Sequence, residues 1–140
     1  LGVNLMGAAN VTYWVAQQMI RARSGRIICV GSRGAFRGEP LQPAYGASKA
    51  GLHAFAQSMA VALAKYEIGV GVVAPGFVET DMVQHLLKSE EGARIRAQSP
   101  FNRVARPEEV ANAVLYLADP GSMWSSGAII DVNGASYLRS

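Results

Sequence analysis

Gly69-Val70-Gly71-Val72-Val73-Ala74, stopped by Pro75-Gly76, is a short continuous apolar run closed by turn residues. A strand buried on both faces reads this way, because none of its positions has to face water. A second run, Arg26-Ile27-Ile28-Cys29-Val30-Gly31, lies upstream, and Gly127 to Val132 forms a third. Helical patterns separate them. From about Val3 to Ala22 there is no Pro, and Met6, Val11, Trp14, Val15, Met19 and Ile20 recur at helical spacing. Roughly Tyr45 to Tyr66 sets Leu52, Phe55, Met59 and Leu63 on one stripe, with Ala and Gly on the other faces. Pro107 opens a further helix, with Glu108 and Glu109 set to complement its dipole. Val110, Val114 and Leu117 form the apolar stripe of that helix, and Asp119-Pro120-Gly121 stops it. A Gly- and Pro-rich loop fills Ser32 to about Pro43, and an irregular charged helical stretch covers roughly Glu79 to Gln98.

Helix–strand–helix–strand–helix–strand predicts an α/β fold: a parallel sheet with right-handed crossovers. Three strands are few for such a sheet. The first, Ile27 to Val30, would lie at an edge with a bare apolar ladder. Together with the apolar opening Leu1-Gly2-Val3-Asn4, this sets the expectation that the chain begins inside a larger protein.

Half of the 140 residues are hydrophobic and 16% are charged, which excludes a disordered chain. The single cysteine, Cys29, excludes a disulfide framework and a Cys-rich zinc site and reads as apolar filling of a strand. No apolar run approaches the roughly 20 residues of a membrane helix, so no membrane partner is expected. No signal peptide is visible, and the expected compartment is the cytoplasm. The net charge is +3, and the basic residues are scattered rather than striped, so no nucleic-acid partner is expected. The loose group Arg21, Arg23, Arg26, Arg33 and Arg37 reads as solvated surface. His53, among Ala and Phe, reads as a packing residue or a hydrogen-bonding one at an interface, and His85 as exposed. Neither has a partner at ligand spacing, so no catalytic metal is expected.

The chemistry concentrates in Ser32 and in Tyr45-Gly46-Ala47-Ser48-Lys49. Tyr45 and Lys49, four apart at the start of a helix, share one face. A phenol ionises near pH ~10, and bringing that to about 7 needs roughly 4 kcal/mol. One ammonium about 4 Å away supplies about that much at an effective dielectric near 20. A lysine one turn from a tyrosine is therefore sufficient in magnitude to make a general acid/base. Ser32 directly follows the first strand and Pro75-Gly76 the second, so both face the crevice beyond the carboxyl ends of the strands.

On these residues the sequence resembles the C-terminal part of a short-chain dehydrogenase/reductase. The family's Tyr-x-x-x-Lys stands as Tyr45 to Lys49, with its Ser thirteen positions ahead at Ser32. The Val-Asn-Leu-x-Gly stretch is Val3-Asn4-Leu5-Met6-Gly7, and the Pro-Gly-x-x-x-Thr stretch is Pro75-Gly76-Phe77-Val78-Glu79-Thr80. Arg103-Val104-Ala105-Arg106-Pro107-Glu108-Glu109-Val110-Ala111 matches a further segment, and the resemblance runs in order along the whole chain. The flavour is that of 3-oxoacyl-(acyl-carrier-protein) reductases and many sugar, alcohol and steroid dehydrogenases. Two departures stand out. Asn133-Gly134-Ala135 replaces the frequent Asp-Gly-Gly, and no Gly-x-Gly-x-x-Gly dinucleotide turn occurs.

The resemblance implies the C-terminal half of a Rossmann-type doubly wound parallel sheet with helices on both faces. Residues 1–140 would be the catalytic part of that single domain, without the N-terminal dinucleotide-binding part. It implies hydride transfer between NAD or NADP and a small carbonyl or alcohol substrate. Tyr45 would be the acid/base, and Lys49 would assist it and hold the nicotinamide ribose. Ser32 would hold the substrate oxygen, and Asn4 a relay water. Pro75, Gly76, Val78 and Thr80 would hold the nicotinamide. Phe36, Gln42, Phe77 and Met82 are the expected substrate-pocket residues, and Met82 to about Gln98 the expected lid. The long helices, apolar on more than one face, would pack in a homo-oligomer, a dimer or a tetramer. The rival readings are an inactive fragment or oligomeric remnant lacking the nucleotide-binding half, and a retained binding or regulatory subunit.

Overall fold

The computed structural model describes residues 5–140, apart from the side chain of Met82. In chain order the elements are α1 (Gly7–Ala22), β1 (Gly25–Val30), α2 (Pro43–Leu63), β2 (Ile68–Pro75), α3 (Gln84–Leu87), α4 (Glu90–Ala97), α5 (Pro107–Ala118) and β3 (Ile129–Val132). The three strands are parallel in the order β1-β2-β3, with Gly25 opposite Ile68 and Val72 opposite Ile129. The α/β expectation holds, and β1 is at the edge of the sheet among the described residues.

β2 is the buried centre, and alternation along it sorts the two layers. Ile68, Val70 and Val72 join Leu52, Ala56, Ala60 and Leu63 of α2 and Ala16 of α1 in one apolar cluster. The opposite face receives α5. Gly71 is what lets it approach, since a Cβ there would stand 3.0 Å from Leu117 Cδ1. A methyl at that spot would force repacking of a core already at crystal-like density. No helix among the described residues is long and apolar enough to cross a membrane.

Element ends follow local chemistry. α1 stops at Arg23, whose left-handed backbone (φ 53°) lets the Ser24 N–H close on Met19 O at 3.2 Å. Pro43 takes the first position of α2, two residues before the expected start, where its missing N–H costs nothing. β3 starts at Ile129 rather than Gly127. Gly127, at φ +87°, makes the turn into the strand while its N–H reaches Val70 O at 2.7 Å.

Candidate active site

Because all three strands run the same way, their carboxyl ends share one rim. At the end of β1 the Gly31 N–H still pairs with Val73 O at 2.8 Å, but the next donor leaves the ladder. The Ser32 N–H donates to Nε2 of His53 at 3.2 Å. Ser32 is extended and caps a short 3-10 turn, its Oγ accepting from the Gly34 N–H at 3.0 Å. With that lone pair engaged, the hydroxyl proton is the group left to donate.

Tyr45 lies in the first turn of α2 and is 40% exposed. Gly34 lies between it and Ser32. A Cβ on Gly34 would be 3.3 Å from Ser32 Oγ and 3.6 Å from Tyr45 Cε1. A residue without a side chain thus sits between Ser32 Oγ and the edge of the Tyr45 ring. Lys49, one turn along, donates from Nζ to Val30 O at 3.1 Å and lies 5.8 Å from the Tyr45 ring centroid. Ser32, Tyr45 and Lys49 therefore come together as expected, while Asn4 lies outside the described residues.

Beyond β2, the Gly76 N–H donates to Val132 O at 3.0 Å. A Cβ at Gly76 would press on Asn133 Cβ at 3.1 Å, so Pro75-Gly76 turns in contact with the end of β3. Val78 forms a lone parallel bridge with Ala105: the Ala105 N–H reaches Phe77 O at 3.0 Å, and the Glu79 N–H reaches Ala105 O at 2.8 Å. In such a bridge the flanking groups face the partner, so the N–H and C=O of Val78 itself face away from Ala105. They present one donor and one acceptor side by side. Thr80 is extended and exposed, leading into the turn Asp81–Val83.

The expected pocket residues divide. Phe36 and Gln42 line a groove of about 660 Å³ with Gly34 and Gly46. Phe77 lines a partly open pocket of about 180 Å³ with Arg33, Gln98 and Ser136. The side chain of Met82 lies outside what is described.

One expectation fails at Arg33. It is not solvated surface but 4% exposed. Its Nη1 donates to Gln98 Oε1 at 2.9 Å and Ser136 Oγ at 2.7 Å, Glu39 lies 3.5 Å from Nη2, and the guanidinium stands over the Phe77 ring. The residue after Ser32 turns inward because these partners satisfy its donors there. Burial, with the neighbouring Arg37, pulls the guanidinium below its ordinary value.

His53 both packs and hydrogen-bonds, and its bond is to Ser32 within the chain. It is buried against Phe36 (ring centroids 5.0 Å apart), and burial, with the positive charges of Arg139 and Lys49, holds its imidazole below the usual value. No local pattern in the sequence marks either residue, since Gln98 and Ser136 for Arg33 and Ser32 for His53 are far along the chain. Cys29 is buried as expected, and burial pushes its thiol up, away from reactivity.

Residues 1–135 match the family model described as enoyl-(acyl carrier protein) reductase. The 3-oxoacyl-(acyl-carrier-protein) reductase FabG of Aquifex aeolicus is 41% identical over 137 residues, covering 98% of this chain and 55% of that protein. Its Escherichia coli counterpart is 40% identical over 135 residues, covering 96% and 55%. Among solved structures, a short-chain type dehydrogenase/reductase from Mycobacterium ulcerans superposes with a TM-score of 0.92 at 27% identity, over 97% of this chain and 50% of that one. A gluconate 5-dehydrogenase from Burkholderia cenocepacia, in complex with NADP and tartrate, gives 0.89 at 28% identity over 97% and 55%. The chain spans about half the length of the curated relatives it matches. The fold is that of the C-terminal half of a Rossmann-type sheet with helices on both faces.

Proposed function

Since the chain belongs to the short-chain dehydrogenase/reductase family, we propose that it carries the catalytic groups of an NAD(P)-dependent oxidoreductase acting at a carbonyl or hydroxyl carbon. In this reading residues 1–140 are the C-terminal catalytic part of one Rossmann domain. The observation that carries it is the convergence of Ser32 and Tyr45 on Gly34, with Lys49 one turn along the same helix.

The residues fit a nicotinamide cofactor. A carboxamide needs one acceptor and one donor, and Val78 offers both from its backbone. Lys49 and Tyr45 lie on the same rim for the ribose, and Pro75, Gly76 and Thr80 complete that loop. NADP in the gluconate 5-dehydrogenase relative supports the assignment. The bound cofactor would supply or accept the hydride at the substrate carbon. In the reductive direction the Ser32 O–H donates to the substrate oxygen as negative charge develops there. Tyr45 passes its proton to that oxygen, and the Lys49 ammonium stabilises the phenolate left behind. Solvent then reprotonates Tyr45, a step for which Asn4 would hold a water. In oxidation each transfer reverses. Phe36, Gln42, Phe77 and Met82 are proposed to shape the substrate space.

The test is Tyr45→Phe in the full protein. Turnover should fall about 10²- to 10⁴-fold while nucleotide affinity changes little, and near-normal turnover overturns the reading.

Exposed Val11, Tyr13 and Trp14 on α1 support homo-oligomerisation, to be read from the mass in solution by light scattering. The lack of a Gly-x-Gly-x-x-Gly turn in these residues favours a second reading for the 140-residue chain alone: an oligomeric unit that binds nucleotide weakly or not at all. A titration following nicotinamide fluorescence separates the two, since tight binding by this chain rules the second one out.

A further inference from the structure

His53 meets Ser32 where the edge strand runs out. The Ser32 N–H is buried and beyond the reach of β2, and such a donor needs a partner. The partner is Nε2 of His53, twenty-one residues away on α2, at 3.2 Å. The fit depends on Gly31, where any Cβ would collide with Nε2 and Cδ2 of the ring. The other side of the ring rests on Phe36, which in turn lies under the Arg139 guanidinium.

The tautomer follows from the hydrogen bond. If Nε2 accepts, the neutral ring carries its proton on Nδ1. Nδ1 is buried and has no hydrogen-bond partner among the described residues. An apolar side chain would fill the same space without stranding that donor. What the imidazole adds over such a side chain is the lone pair on Nε2, spent on Ser32.

We propose that His53 is a positioning residue: its Nε2 lone pair fixes the Ser32 backbone and thereby aims the Ser32 hydroxyl at the substrate oxygen. With the Ser32 N–H held by His53 and Oγ held by the Gly34 N–H, the residue is clamped at both polar ends. The clamp works only while the imidazole is neutral, because a protonated Nε2 would point an N–H at the Ser32 N–H. Three charged groups act on the ring. Lys49 on its own helix and Arg139 in the C-terminal segment oppose protonation, while Asp131 on β3 favours it. Burial and the two cations prevail over Asp131 and shift the ring towards its neutral form.

The inference rests on Ser32 acting as donor to the substrate oxygen, so its test has one arm that does not use activity. In the full protein, long-range ¹H–¹⁵N spectra of His53 should show Nδ1 protonated and Nε2 bare at neutral pH. The Ser32 amide signal should move as His53 titrates at acid pH. A protonated Nε2 at neutral pH overturns the proposal whatever the enzyme does. In the kinetic arm, His53→Gln keeps an acceptor near the Nε2 position and should retain most of kcat. His53→Leu should lose up to about a hundredfold in kcat, as expected for a misplaced catalytic group, with nucleotide KM unchanged. The wild type should also lose turnover on the acid side as His53 protonates, and His53→Gln should lack that limb. A folded His53→Leu with wild-type kcat overturns the proposal. If His53→Leu fails to fold, the glutamine variant's pH profile decides. Should Tyr45→Phe prove fully active, the oxidoreductase reading falls while the tautomer result stands as a separate finding.

Discussion

Gln98 Oε1 lies 2.9 Å from Nη1 of Arg33 and 2.8 Å from Nη1 of Arg37, joining the end of α4 to the loop that carries Ser32. One neutral oxygen serves two guanidinium groups, and the more buried of them has little water to turn to. Gln98→Leu should cost about 1–3 kcal/mol through the stranded donors. The loss should be visible as a lower Tm, and Gln98→Glu should not show it.

Ser32→Ala separates chemistry from architecture. The bond from residue 32 to His53 is made by the backbone and survives the change. What is lost is the Oγ cap on the Gly34 N–H, a cost of about 0.5–2 kcal/mol. In the full protein kcat should fall about 10²- to 10³-fold, out of proportion to that structural cost, because a donor to the developing oxyanion is gone. Thermal denaturation beside steady-state kinetics checks both halves.

Ala135 holds a left-handed backbone, φ 61°, immediately after Gly134 at φ 58°. This is the position where the sequence departs from a second glycine. A Cβ there costs roughly 1–2 kcal/mol, partly offset by the greater freedom glycine has when unfolded. Ala135→Gly should therefore raise stability slightly or leave it level, where most glycine substitutions lower it. Chemical denaturation of the pair measures this directly.

Glu109 is gripped by Nη1 and Nη2 of Arg103, at 2.7 and 3.0 Å, and by the Arg106 N–H at 3.1 Å. The Arg103 hydrogen bonds, followed by the Arg106 N–H, pull its carboxyl from the ordinary 4.5 down to about 2. A lowered folded-state value means the unfolded chain binds the proton first as pH falls. The contribution is therefore whole above about 4.5 and fades towards 2. The stability gap between wild type and Glu109→Gln should shrink over that window, measured as denaturant midpoints at several pH values. A gap that stays constant would refute the linkage.

What was legible in the sequence and what was not divides by distance along the chain. The Val70–Val73 run announced a buried strand because burial on both faces writes itself into consecutive residues. Tyr45 and Lys49 were legible because helical spacing alone puts them on one face. Ser32 could be placed because it follows a strand. Arg33 misled because its character depends on Gln98 and Ser136, brought to it only by the folded sheet and the C-terminal segment. For the same reason the sequence leaves His53 as a packing residue or a hydrogen-bonding one at an interface and does not point to Ser32. That partner is a backbone N–H, and side-chain patterns do not mark backbone donors. The sequence does not show that Phe36 and Phe77 line different pockets, because the loops they stand on take their course from tertiary contacts.

The order β1-β2-β3, with a helix crossing between each pair of neighbours, has a kinetic consequence. No two strands here can zip from a tight turn. Gly25 must wait for Ile68 and Val72 for Ile129, so each pairing first closes a long loop, and folding is correspondingly slow. Synthesis relieves this, because β1, α2 and β2 leave the ribosome in the order in which they pack. The growing chain can dock β3 onto a sheet already half built. A chain diluted from denaturant must find both pairings at once, with its apolar strands open to neighbouring molecules meanwhile.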